Sequence, residues 1–263
     1  MVNSNIQFIE RKGTGSLKWD HADALFNGEG LLPMWVADMD LGVPHQVQEA
    51  LIERVNHPIF GYARPQDSLY ESVINWLKNK HHWTIQKEQI FFSSGVVPSI
   101  AASILAFTEP GDKVMIQSPV YAPFYSCINE NSRTLVENPL RIQDNRLEID
   151  FEDFENKLKE GVKLFILCSP HNPGGMVWSK KELARMAELC ADYDVLIISD
   201  EIHADLSLSG YEHTPIATIN PNTITLMAPS KTFNIAGLQA SLVITEKQEI
   251  MKKLTGQFLK QGF

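Results

Sequence analysis

The chain has 263 residues, enough for one large domain or two small ones, and enough to bury a core without disulfides or a structural metal. Hydrophobic residues make up 44% and charged residues 21%, values that exclude a disordered chain. Lys plus Arg number 23 against 32 Asp plus Glu, a formal charge of −9 with no basic patch, which counts against nucleic acid or a membrane surface as partner.

The three cysteines, Cys127, Cys168 and Cys190, are widely spaced and share no ligand pattern with histidine. They argue for a reducing compartment, hence a cytoplasmic protein, and against a zinc site. The N-terminus carries no apolar core of signal-peptide length. The most apolar stretch, residues 96–107, is too short to span a bilayer.

Along the chain, an extended segment from Leu31 to Asp40 comes first. Helical spacing follows at 43–56 (Val47, Ala50, Leu51, Val55) and 68–82 (Leu69, Val73, Trp76, Leu77), separated by the turn Phe60-Gly-Tyr-Ala-Arg-Pro65. From residue 90 onward short apolar runs alternate with helical stretches. The runs start at Ile90, Lys113, Thr134, Leu164, Val195, Thr223 and Ser241, and read as seven strands. The helical stretches include 97–107, 151–159 and 179–193, the last opening on the capping box Ser179-Lys-Lys-Glu182. This pattern predicts an α/β fold, a mostly parallel seven-stranded sheet flanked by helices in three layers. Ligands then belong at the carboxyl ends of the strands. The pair His81-His82 reads as a solvated helix end, Trp35, Trp76, Trp83 and Trp178 as packing residues, and Asp38 and Asp40 as structural carboxylates.

Polar residues gather where strands end. Ser93-Ser-Gly95 opens a helix, Ser169-Pro-His-Asn172-Pro-Gly-Gly175 follows one strand, Asp200-Glu-Ile-His203 another, and Ala228-Pro-Ser-Lys231-Thr-Phe-Asn234 a third. Each has a structural explanation alone: turn chemistry for Asn172, a helix cap for Asp200, a solvated Lys231. As a set they match the needs of pyridoxal 5′-phosphate (PLP). It takes a lysine amine, a carboxylate facing its pyridine nitrogen, a neutral donor to its phenolic oxygen and helix N-terminal N–H groups for its phosphate. Tyr121, in Ser118-Pro-Val-Tyr-Ala-Pro-Phe-Tyr125, is suited to stack on the ring.

On these motifs the chain resembles the fold-type I PLP enzymes of the class I/II aminotransferase superfamily. The separations of 28 residues from Asn172 to Asp200 and 31 from Asp200 to Lys231 suit that family. Two departures point within it: His203 stands where aminotransferases commonly have tyrosine, and Gln239 where they carry a phosphate-binding arginine. With Trp35-Val-Ala-Asp-Met-Asp40 and Phe60-Gly-Tyr62, these features resemble the cystathionine β-lyase, or cysteine-S-conjugate C–S lyase, branch.

The resemblance implies that Lys231, Tyr121 and Asp200 carry catalysis, with the leaving-group proton coming from Lys231 or Tyr121. It implies that Gly95, Val96, Val97, Tyr121, Asn172, Asp200, His203, Ser230 and Lys231 bind the cofactor. In a homodimer, Tyr62 of the partner subunit would join them. The expected reaction cleaves cystathionine or a related cysteine S-conjugate to a thiol, pyruvate and ammonia, with an aminotransferase or a truncated PLP-binding protein of little or no catalysis as alternatives. Residues 1–42 are expected to belong to a small domain or interface and 43–263 to a large PLP-binding domain. The family's C-terminal small domain and its carboxylate-binding arginine are expected to be absent, which predicts poor substrate affinity.

Overall fold

The computed structural model describes residues 8–262. In chain order the first helices are α1 (Leu17–Asp20), α2 (Ala22–Phe26), α3 (His45–Asn56) and α4 (Asp67–His81). Then come β1 (Ile90–Ser93), α5 (Val96–Phe107), β2 (Lys113–Ile116), α6 (Pro123–Asn129), β3 (Thr134–Glu137), β4 (Arg141–Gln143), β5 (Arg146–Glu148) and α7 (Phe151–Lys159). The last elements are β6 (Val162–Cys168), α8 (Lys180–Asp192), β7 (Leu196–Asp200), β8 (Thr223–Met227), α9 (Pro229–Thr232), β9 (Ser241–Ile244) and α10 (Gln248–Lys260). The chain divides into two compact units. One comprises the N-terminal part to Ala63 plus Pro229–Leu238; the other comprises Arg64–Ala228 plus the segment from Gln239 onward.

The second unit holds the seven-stranded sheet, in the order β1-β9-β8-β7-β6-β2-β3. All seven expected strands take part. β9 pairs antiparallel with both β1 and β8, while β8, β7, β6, β2 and β3 are joined by parallel ladders. Two reversals restore direction, so β1 runs with the parallel set and β9 alone runs against it. The carboxyl ends of β1, β2, β6, β7 and β8 therefore emerge at one edge of the sheet.

Alternation along β6 shows why the sheet needs cover on both faces. Leu164, Ile166 and Cys168 pack into the core layer with α5, α6 and α10. Phe165 and Leu167 pack into the opposite layer with α7 and α8. Each such side chain, once fully buried, contributes about 1.5–3 kcal/mol, which is why these runs are apolar at every position. A third cluster packs α4 against β1 through Leu77, Trp83, Ile85 and Ile90. The expected capping box forms: Ser179 Oγ accepts from Glu182 N, and the Glu182 carboxylate accepts from Ser179 N at 2.7 Å.

Two features differ from the sequence reading. His81 is buried, not solvated; its Nε2 lies 2.8 Å from the Asp205 carboxylate, which also accepts from Trp76 Nε1 at 3.0 Å. His82 alone takes the exposed, left-handed cap position. A hairpin, β4–β5, also closes on Asp144 and Asn145, both at positive φ.

In the first unit, Ser16 caps α1 by accepting from Trp19 N at 3.3 Å. Helix α3 forms where its periodicity predicts, yet none of its residues is buried. Leu51, Ile52 and Val55 on it, and Ile59, Phe60 and Tyr62 after it, are exposed.

Candidate active site

In the second unit, Asp200 is the last residue of β7 and only 4% exposed. Its Oδ1 accepts from Ile202 N at 3.1 Å, which aims the carboxylate by a tight turn. Cys168, the last residue of β6, is its register partner across the ladder. Burial and the Asp200 charge push the Cys168 thiol far up, so this sulfur stays protonated. Cys168 Sγ accepts from Asn172 N at 3.3 Å, which seats Asn172 beside the end of β7.

The turn that presents Asn172 is closed by its own backbone. His171 N donates to Met176 O at 2.8 Å and Gly175 N returns to His171 O at 2.8 Å. Gly174 is required by space: a Cβ there would lie 2.6 Å from His171 Nδ1 and meet Leu147 Cδ1. Burial drives the His171 imidazole down to about 4, so it is neutral. Trp178 braces the turn from beneath, donating from Nε1 to Cys168 O at 2.9 Å. The Asn172 carboxamide itself makes no hydrogen bond among the described residues.

Tyr121 follows β2 and is 37% exposed, its ring edge-on to Phe124. Burial raises its phenol pKa first, and the nearby Asp200 charge raises it further. His203 is half-buried and precedes the short turn at Ala204–Leu206. At the start of α5, Gly95 supplies no side-chain cap, so the first N–H groups, those of Val96 and Val97 among them, face no capping oxygen. Gly95 is held in an extended conformation by a chain of buried hydroxyls. Ser93 Oγ lies 2.6 Å from both Ser99 Oγ and Ser241 Oγ, and Ser99 Oγ donates to Gly95 O at 2.8 Å.

Sequence reasoning did not single out Ser99 or Ser241, nor the buried pair beside Asp200. There Glu201 Oε2 lies 2.8 Å from His213 Nε2, and Glu201 Oε1 accepts from Ser199 Oγ at 2.8 Å and Ile216 N at 3.1 Å. Strand alternation was the available signal, since Ser199 and Glu201 must share the face that Asp200 does not.

Lys231 and Ser230 lie in the first unit, on α9, which the chain enters directly after β8. Lys231 is half-buried, and its amine has no hydrogen-bond or ion-pair partner among the described residues. Ser230 is 9% exposed, and its carbonyl accepts from Ile235 N at 3.0 Å. Tyr62, also in this unit, is fully exposed.

The sequence pattern of the aminotransferase class I and II family matches residues 31–257. The cystathionine β-lyase PatB of Bacillus subtilis (strain 168) is 47% identical over 258 residues, spanning 96% of this chain and 67% of PatB. Cystalysin from Treponema denticola, solved with a PLP cofactor, is similar at TM-score 0.92 and 37% identity, over 98% of this chain and 67% of that one. The PLP-bound C–S lyase from Staphylococcus hominis is similar at TM-score 0.90 and 37% identity, over 95% of this chain and 65% of that one. The chain thus spans about two thirds of the length of the relatives it matches.

Proposed function

The chain belongs to the aminotransferase class I and II family, and from that premise we propose that it binds PLP and serves carbon–sulfur β-elimination from cystathionine or a related cysteine S-conjugate. The observation that carries this reading is the convergence of Asp200, Cys168, Asn172 and Tyr121 at the ends of adjacent strands. The donor set fits the cofactor. Asp200 is a buried carboxylate suited to a pyridinium, and Asn172 offers an unengaged carboxamide to a phenolic oxygen. Gly95, Val96 and Val97 open a twelve-residue helix without a cap, suited to a phosphate, where Ser230 would add a hydroxyl. Tyr121 would stack on the ring, and the Lys231 amine, which has no partner among the described residues, would tether it.

Bound PLP supplies an electron sink for the pair left on the substrate Cα. Lys231 would take the Cα proton on Nζ. Asp200 would favour a proton on the ring nitrogen through its negative charge. The departing thiolate receives a proton from Lys231 Nζ or Tyr121 Oη; the raised phenol pKa keeps Tyr121 a donor at neutral pH. The thiol leaves, and hydrolysis of the remaining three-carbon enamine yields pyruvate and ammonia. His203, in the turn after Asp200, stands where the family commonly has tyrosine and would join the residues that hold the cofactor.

The exposed apolar residues of α3 and the 59–62 segment support a homodimer in which Tyr62 reaches the neighbouring subunit's phosphate. The three cysteines are free and buried, which supports a reducing, cytoplasmic setting. Among the described residues no helix is long and apolar enough to cross a membrane.

The test is incubation of the PLP-loaded protein with cystathionine, with and without a keto acid. Sustained pyruvate and thiol release without keto acid supports the lyase. Turnover only with keto acid overturns it in favour of an aminotransferase, and equal PLP retention by Lys231→Ala overturns the tether.

A further inference from the structure

We propose that Asn234 is a positioning residue for Lys231, acting as a latch that fixes the lysine-bearing turn to the backbone of residues 39–41. This rests on the reading that Lys231 tethers the cofactor. All the groups involved lie within the first unit. Asn234 Oδ1 accepts from Met39 N at 2.9 Å, and Asn234 Nδ2 donates to Met39 O at 3.0 Å and to Leu41 O at 2.9 Å. One short side chain thereby satisfies three main-chain groups that are nearly two hundred residues away in sequence.

The residue type is dictated twice over. The three partners require one acceptor and two donors on a single short group, which a carboxamide offers and a carboxylate or hydroxyl does not. Asn234 also has φ +56°, a left-handed conformation that asparagine tolerates better than most side chains. That conformation ends the turn carrying Lys231: Phe233 N donates to Pro229 O at 2.9 Å and Ile235 N to Ser230 O at 3.0 Å. The latch and the lysine turn are therefore one rigid piece.

The far side of the latch is anchored as well. Asp40 accepts from Trp19 Nε1 at 2.8 Å, Lys18 Nζ at 2.9 Å and Arg11 at 3.2 Å. Asp38 takes a second Arg11 nitrogen at 2.6 Å. These charges flank Met39 on both sides, so the segment that Asn234 grips is itself held. Because the latch reads only main chain, it constrains where Lys231 sits without restricting the side chains at 39 and 41.

The experiment compares wild type, Asn234→Gly and Asn234→Asp. Glycine keeps the left-handed backbone but removes all three bonds, which separates the latch from the turn. Asp keeps the acceptor for Met39 N–H but sets a carboxylate against two carbonyls. The first readout, on cofactor-free protein, is amide hydrogen exchange at Met39, expected to accelerate at least about tenfold in Asn234→Gly and less in Asn234→Asp, which keeps the acceptor. The second is the rate of PLP attachment at Lys231, read by borohydride trapping and peptide mass, and expected to fall at least about tenfold. Exchange over β6 and β7 should be unchanged. Wild-type trapping rates in Asn234→Gly, or unchanged Met39 exchange, overturn the latch. Absence of trapped cofactor in the wild type overturns the tethering reading instead.

Discussion

Replacing His213 by alanine is expected to cost the fold about 3–5 kcal/mol, because it strips a donor from a carboxylate that has no access to water. The Glu201 side chain is 0% exposed and His213 1%, with 2.8 Å between Nε2 and Oε2. Glu201 Oε1 keeps Ser199 Oγ and Ile216 N, but Oε2 is left facing the space vacated by the imidazole. Against a total stability of about 5–15 kcal/mol this is a large fraction. Ser199→Ala removes one neutral donor from the same carboxylate and should cost less, about 1.5–3 kcal/mol. Urea denaturation followed by tryptophan emission, Trp178 being 1% exposed, gives both values when the slope is unchanged. A cost for His213→Ala below about 1 kcal/mol, or one smaller than that of Ser199→Ala, would refute the reasoning that the buried Glu201 side chain depends on the imidazole.

Three further outcomes follow from the packing around the Asn172 turn and the start of α8. Gly174→Ala sets a methyl 2.6 Å from the buried His171 ring, so the Asn172 turn must shift. The expected cost is about 1–3 kcal/mol, with weaker PLP retention measured by equilibrium dialysis. His171 is held down to about 4 by burial, whereas an exposed histidine binds its proton near 6.5. The unfolded chain therefore binds more protons in acid, and stability falls as pH drops from about 6.5 to about 4, by about 3 kcal/mol in all. His171→Gln should lack that slope in denaturation curves across this window. Ser179→Ala removes the cap of α8 and should cost about 1 kcal/mol, read as a lower denaturation midpoint.

What could be read from the sequence was what local pattern encodes. The strands showed because their two faces are both buried, so Leu164 to Cys168 is apolar without interruption. Helix α8 showed through Ser179 and Glu182, whose partners lie within one turn. The reversed direction of β9 was not legible, since no residue of Ser241–Ile244 encodes which way its neighbours run. His81 was misread because its carboxylate, Asp205, arrives from 124 residues away. The β4–β5 hairpin was missed because its strands are three residues long and largely exposed, leaving only Asp144-Asn145 as a turn signal. In α3 the period identified the helix but carried no information about what covers its apolar side. Among the proposed cofactor residues, Asn172, Asp200 and Lys231 stood out in the sequence by their places after strands. Ser99, Ser241 and Glu201 did not, because their contribution is to hold other groups in place.

The first unit has a gap in its sequence: it needs residues up to Ala63 and then Pro229–Leu238. A ribosome making about 5–20 residues per second takes roughly 8–33 s to cross the intervening stretch. Until Asn234 is made, the main-chain groups of Met39 and Leu41 have water as their partner where the latch will later sit. The parallel core of the sheet, through β7, lies earlier in the chain than that closing residue. Synthesis order therefore favours a sheet that assembles first and an N-terminal unit that closes last, at the moment its lysine is delivered.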